Sequence, residues 1–297
     1  MTKWGRRGFM KIAAAGAGGV AASSVAARVS GEEGPLEQAG MLVDTTLCVG
    51  CRGCEAACAE ANGNPPPPEG DVFASRRETS TTAFTIVNAA EGVPNRFAKR
   101  QCMHCVSPGC ASACPVRAMD KKPNGPVVYD PKDCLGCRYC MVACPFEIPK
   151  YEYASRAPAV RKCTFCAERQ AAGLKPACAE VCPSGALTFG KRGELLELAK
   201  SRIYTNPGKY VHHVYGEHEV GGTSFLYLTD VAPEKLGLMG GLPEKAIPEH
   251  VQGALAAPPF VMTLWPPLLM GIYMFSKKRE EGGGHAAHDD KKEDSHG

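Results

Sequence analysis

The chain has 297 residues, a net charge of +3, 44% hydrophobic residues, 7% aromatic residues and 16 cysteines. That length allows one large or two small domains, and the near-neutral balance carries no electrostatic footprint for nucleic acid. Aromatic residues are too few for a thick apolar core among the cysteines, so metal binding and folding are expected to be one event there.

Residues 1–30 read as a signal segment. Arg6 and Arg7, then Phe9 and Lys11, precede an apolar Ala/Gly-rich run from Ile12 to Ala22. This is the twin-arginine export pattern, with cleavage expected near Ser24 and Ala26 or Val25 and Ala27. Gly16, Gly18 and Ala21 match G-x-G-x-x-A, but no strand precedes them and no βαβ unit follows, so a dinucleotide site is excluded. Gly31 to Gly40 is a spacer. Met41 to Leu47 is apolar and β-branched and predicts a strand leading into the first cysteines. Asn62 to Gly70 contains four prolines and predicts a stiff extended linker.

Further short strands are predicted in TTAFTIVNA (residues 81–89), in Pro126 to Tyr129, in Ala186 to Phe189 and in Thr223 to Leu228. Gly193 to Arg202 has apolar residues at 195, 196, 198 and 199, acids early and bases late, which predicts a short amphipathic helix. Pro233 to Pro248 reads as loop. Gly253 to Phe275 is a run of 23 residues without a charge. At about 1.5 Å per residue it would cross a ~30 Å hydrocarbon layer. Pro258, Pro259, Pro266 and Pro267 would bend it. Lys277, Lys278 and Arg279 follow at once, which would leave residues 276–297 as a polar cytoplasmic tail and the cysteine region outside. His285, His288 and His296 in that tail read as solvated residues rather than as a metal site.

All 16 cysteines fall into four quartets. The first is Cys48, Cys51, Cys54 and Cys58, and the second Cys102, Cys105, Cys110 and Cys114. The third is Cys134, Cys137, Cys140 and Cys144, and the fourth Cys163, Cys166, Cys178 and Cys182. The third, CLGCRYCMVACP, is the bacterial ferredoxin run. A proline follows the last cysteine at Pro115, Pro145 and Pro183. Disulfides would not produce recurring spacings of this kind. Zinc sites use C-x-x-C pairs but rarely a third cysteine so close behind. No C-x-x-C is followed by His, so a c-type haem is excluded. The pattern is that of [4Fe–4S] clusters held by soft thiolates.

In such runs the fourth cysteine serves the neighbouring cube. The second and third quartets then form an inner two-cluster unit over about residues 99–145. One cube takes Cys102, Cys105, Cys110 and Cys144, and its neighbour Cys134, Cys137, Cys140 and Cys114. The outer quartets exchange likewise. One cube takes Cys48, Cys51, Cys54 and Cys182, and the other Cys163, Cys166, Cys178 and Cys58. Single electrons could hop along four such cubes. The sequence holds no nucleophile–base pair, phosphate loop or flavin fingerprint, so no catalytic residue is assigned.

Over residues 41–190 the quartets resemble the four-cluster ferredoxin-like subunits of bacterial respiratory oxidoreductases, such as those of formate dehydrogenase, dimethyl sulfoxide reductase and tetrathionate reductase. LVDTTLCVGC, KRQCMHCVSPGCASACPV, CRYCMVACPFEIPKY and FGKRGELLELAKSR, with both flanks, are most similar to the membrane-anchored iron–sulfur subunits of hydrogenase-2 type uptake [NiFe]-hydrogenases. The resemblance implies the same cube pairing. It also implies an α+β chain of tandem bacterial-ferredoxin-like domains over 41–232, with one C-terminal transmembrane helix at 253–275. Such a subunit would carry electrons from a hydrogenase small subunit to an integral membrane quinone-reactive subunit, on the periplasmic side of the inner membrane. A molybdenum catalytic subunit is the alternative partner. A structural anchor merely folded by its clusters is a third reading, and four full quartets exceed what it would need.

Overall fold

The computed structural model describes residues 34–283. The twin-arginine segment, the possible cleavage points and the histidines of the tail lie outside them. In chain order the elements are β1 (Ala39–Asp44), α1 (Gly53–Ala61), β2 (Ile86–Ala89), β3 (Phe97–Arg100), α2 (Gly109–Ser112), β4 (Met119–Lys121) and β5 (Val127–Tyr129). They continue with α3 (Tyr139–Val142), β6 (Lys150–Tyr151), β7 (Val160–Arg161), α4 (Ala167–Ala171), α5 (Ala177–Glu180), β8 (Leu187–Lys191), α6 (Arg192–Thr205), β9 (Val214–Tyr215), β10 (Phe225–Leu228) and α7 (Ile247–Gly283).

The strands form one four-stranded sheet, in the order β8-β1-β10-β9, and three two-stranded ribbons, β2–β3, β4–β5 and β6–β7. β1 runs antiparallel to β8 and parallel to β10, with Leu42 opposite Thr188 and Leu226. The period-2 alternation of a strand sorts the residues of this sheet. Leu42, Leu226 and Leu228 face α6 and pack on Leu195, Leu196, Ala199 and Ile203. Met41, Val43, Phe225 and Tyr227 point the other way and share a core with Phe165 and the buried Cys58, Cys102, Cys163 and Cys178. The sheet is thus apolar on both faces, one for a helix and one for thiols. A third, smaller core joins Cys110, Cys140, Met119, Val127 and Val160.

The strand expected over 41–47 spans Ala39–Asp44 instead. It stops at Asp44 because that carboxylate accepts from the Thr46 N–H and the Thr46 hydroxyl, which turns the chain. The helix expected at 193–202 extends to Thr205. The expected loop at 233–248 holds a 3₁₀ turn at Pro233–Leu236 and then opens into α7.

α7 runs for 37 residues and carries Pro258, Pro259, Pro266 and Pro267 inside it. Among the described residues, no helix is long and apolar enough to cross a membrane, so the span expected at 253–275 is not found among them. Residues 252–257 and 260 fall outside those whose side chains are described. Every described side chain from Pro258 to Arg279 is exposed.

Candidate metal centre

Left-handed backbone recurs in all four cysteine loops. In Cys48-Val-Gly-Cys51-Arg-Gly-Cys54 and Cys134-Leu-Gly-Cys137-Arg-Tyr-Cys140, the glycine and the arginine take left-handed φ values, 69° and 60° in the first loop, 71° and 61° in the second. His104, Phe165 and Cys166 do so in the other two loops. Left-handed residues turn successive N–H groups inward and make an anion-binding concavity. The N–H of Gly136 donates to Cys134 Sγ at 3.3 Å, and that of Phe165 to Cys163 Sγ at 3.4 Å. Gly50 is required twice over, because a Cβ there would stand 2.9 Å from the Phe97 ring.

A short helix follows each loop or carries its last thiols. Cys54 and Cys58 both lie on α1, and Cys110, Cys140 and Cys178 lie on α2, α3 and α5. Cys114, Cys144 and Cys182 follow four residues after these last three. One helical turn rises about 5.4 Å, so thiols four apart can serve neighbouring groups. The helices pack in two pairs, α1 with α5 and α2 with α3.

The thiols act on one another mainly within four sets, with a bridge at Cys54, on which Cys178 acts more strongly than Cys48. Set I joins Cys48, Cys51, Cys54 and Cys182, and these four line one cavity. Set II joins Cys58, Cys163, Cys166 and Cys178. Set III joins Cys102, Cys105, Cys110 and Cys144. Set IV joins Cys114, Cys134, Cys137 and Cys140. Contacts between sets run in one file. Cys54 feels Cys178 across I and II, Cys163 feels Cys102 across II and III, and Cys110 feels Cys140 across III and IV. Among the sixteen thiols only Cys51 and Cys137, at the two ends of the file, are exposed.

Burial dominates the chemistry of these thiols. It pushes Cys54, Cys58 and Cys110 up to about 12 and Cys140 up to about 11, with neighbouring thiols pushing the same way. Cys105 and Cys163, wholly buried, are raised well above the ordinary thiol range for the same first cause. Bare thiolates are therefore disfavoured in these sites, and a cationic group must accompany their ionisation.

The residues fit an iron–sulfur group on several counts. All sixteen cysteines are free thiols, available as ligands. Among the described residues, no three His, Cys, Asp or Glu side chains close on a single-ion site. A tetrahedral zinc centre needs four ligands at about 2.0–2.3 Å from one point, whereas a cluster spreads them around a larger body. His104 supplies an orphaned atom. Its ring is wholly buried, which keeps it neutral well below the ordinary imidazole range, and stacks on Phe165 with 5.0 Å between centroids. Nδ1 accepts the Val127 N–H at 2.9 Å, so the proton sits on Nε2, which has no protein partner.

Reading the sequence for cysteines alone passes over Lys99, Lys162 and Glu55, all buried among the thiols. Nothing in the local sequence marks them, although FAKRQC and VRKC place two of the lysines within three residues of a quartet.

Comparison with known proteins gives a consistent result. Residues 93–192, which take in twelve of the cysteines, match the family model of the 4Fe-4S dicluster domain. The chain is 36% identical to the hydrogenase-2 operon protein HybA of Escherichia coli O157:H7, over 96% of this chain and 98% of that protein. It is 47% identical to a protein of Nitratidesulfovibrio vulgaris, over 82% of this chain and 68% of that one. It is 35% identical to the iron–sulfur subunit of the nitrate-inducible formate dehydrogenase of Escherichia coli K12, over 68% of this chain and 71% of that subunit.

Proposed function

This chain belongs to the ferredoxin-like iron–sulfur electron-transfer subunits of respiratory oxidoreductases, and we propose that it wires a periplasmic [NiFe]-hydrogenase to a quinone-reactive membrane subunit. The observation that carries this reading is the succession of the four thiol sets: α1 packs on α5 between sets I and II, Cys163 and Cys102 share one core between II and III, and Cys110 and Cys140 share another between III and IV. A cube bound at each set would take up and pass on one electron at a time. The sixteen cysteines named above would be its iron ligands. The chain's own part is to hold the sets in order, to shield sets II and III, and to expose one ligand at each end.

Those ends carry apolar residues suited to docking. Val49 is exposed beside Cys51, and Leu135, Tyr139 and Val142 are exposed around Cys137. α7 starts at Ile247, against Gly109 of α2, so the file's set III–IV end lies nearer the anchor. We read that end as facing the membrane subunit and the set I end as facing the hydrogenase small subunit. Export by the twin-arginine route and anchoring through α7 complete the proposal. Arg6 and Arg7, the charge-free stretch at 253–275 and the basic run after it support these two points. Near end-to-end likeness to HybA, against partial coverage for the formate dehydrogenase subunit, favours hydrogenase over a molybdenum partner.

The test starts with analysis of the purified protein, expected to hold about 16 iron and about 16 sulfide as four cubes. Cys140→Ser, which puts a harder ligand into set IV, should then abolish H₂-to-quinone activity in membranes. Reduction of an artificial dye, which can take electrons directly from the catalytic subunit, should survive. If wild-type membranes reduce quinone with formate and not with H₂, the molybdenum reading replaces this one. Quinone reduction at the normal rate with the cube absent would leave the chain a structural anchor.

A further inference from the structure

Lys99 lies on β3, opposite Val87, and is 2% exposed. Lysine is almost never buried unless something pairs its charge. Its ammonium donates to Gln101 Oε1 at 2.9 Å and stands 5.2 Å from the centroid of the Phe225 ring. Neither is an anion. None of the ion pairs among the described residues gives Lys99 a carboxylate, and the groups that act on its charge are Cys178, Cys54 and Cys163, with the Tyr227 phenol. Its charge in turn acts on Cys54 of set I and on Cys58, Cys163 and Cys166 of set II. It also lines the cavity enclosed by the four thiols of set I. One buried cation is thus shared by two thiol sets.

We infer that Lys99 is a potential-setting residue, a fixed positive charge that favours the reduced state of the groups held by sets I and II together. The inference rests on the relay reading above. A cube with four thiolate ligands carries net negative charge, and reduction adds one more. A buried cation stabilises the more negative state, and low local dielectric strengthens the effect. Removing the charge should therefore lower both potentials and leave the other two sets alone. Set III has its own buried lysine. Lys162, 4% exposed, donates to the carbonyl of Cys163 at 3.1 Å and acts on Cys110 and Cys144. Among the groups that act on Cys140 of set IV no lysine stands.

The experiment is an EPR-monitored potentiometric titration of the purified holoprotein, with iron and sulfide measured on the same samples. Wild type must first show four cubes. Fewer would sink the relay reading itself, independently of Lys99. Lys99→Met keeps the length of the side chain and removes the charge. We expect two of the four midpoints to fall, each by about tenfold in the reduction equilibrium constant, which is about 59 mV for a one-electron couple. The other two should hold, and Lys99→Arg should keep all four near wild type. Four unchanged midpoints in a fully loaded Lys99→Met protein would overturn the inference. Where Lys99→Met assembles only part of its iron, Lys99→Arg decides. Full loading at wild-type potentials upholds the charge, and a deficit equal to that of the Met variant overturns it.

Discussion

At the scale of single residues, the cysteines are accompanied by charges that stabilise their surroundings without touching an electron. Glu55 sits on α1 between Cys54 and Cys58 and is 4% exposed. It accepts from the guanidinium groups of Arg52 and Arg77 and from the Val87 N–H at 2.6 Å. It therefore ties the helix that bridges sets I and II to the β2–β3 ribbon. Removing one partner of a buried ion pair strands the other and costs about 3–5 kcal/mol. Glu55→Ala should lower stability by that order, seen as a lower denaturant midpoint of the anaerobic holoprotein. Arg52→Ala, whose side chain is more exposed, should cost less. Wild-type midpoints in both variants would mean that the network adds nothing to the fold. The cysteines were legible in the sequence because a cluster needs a fixed ligand type at fixed spacing. Glu55, Lys99 and His104 were not, since a buried charge or ring is made acceptable by neighbours from distant parts of the chain.

At the scale of elements, the sheet divides the molecule into a helix side and a thiol side, and Arg192 stitches the first together. It opens α6, is 5% exposed, and donates to the carbonyls of Thr223, Gly216 and Glu217 at 2.8, 3.3 and 3.0 Å. Arg192→Met would leave the Thr223 and Glu217 carbonyls without this donor, at about 1–3 kcal/mol for each buried group, while the Gly216 carbonyl keeps the Thr223 N–H at 2.8 Å. We expect a clear drop in the melting temperature with the cluster EPR spectrum unchanged, because α6 packs on the sheet face away from the thiols. A changed spectrum would show that the two faces are coupled. The strands of the sheet core, β1, β8 and β10, could be read as apolar runs. β4, β6, β7 and β9 could not, being two or three residues long, too short for a period. The parallel pairing of β1 with β10 joins positions over 180 residues apart, and no local pattern announces it. The four-residue helices α2, α3 and α5 lack a 3.6-residue repeat as well. They are visible in the sequence only as the spacing between one cysteine and the cysteine four further on.

At the scale of the whole molecule, α7 is the element least accounted for by the rest of the fold. Its start is fixed, with Ala246 buried and Ile247 against Gly109. Beyond that, every described side chain from Pro258 to Arg279 is exposed, including Trp265, Leu268, Leu269, Ile272 and Phe275. An apolar surface of this extent marks a membrane or partner contact. The prolines sharpen the point. Pro266 and Pro267 have no N–H to donate to the carbonyls one turn before them. The Thr263 hydroxyl, by contrast, donates back to the Pro259 carbonyl at 3.0 Å, as Ser and Thr do in bent helices. A chain ending after Glu249 should keep its full iron content and its EPR spectrum, since no cysteine lies beyond Cys182. It should lose association with membranes, measured by sedimentation and by carbonate extraction of the full-length and shortened proteins side by side. Loss of iron from the shortened protein would show that α7 supports the clusters. Membrane retention without α7 would assign the attachment to a partner subunit, leaving the exposed face of the helix as part of that contact or free of it.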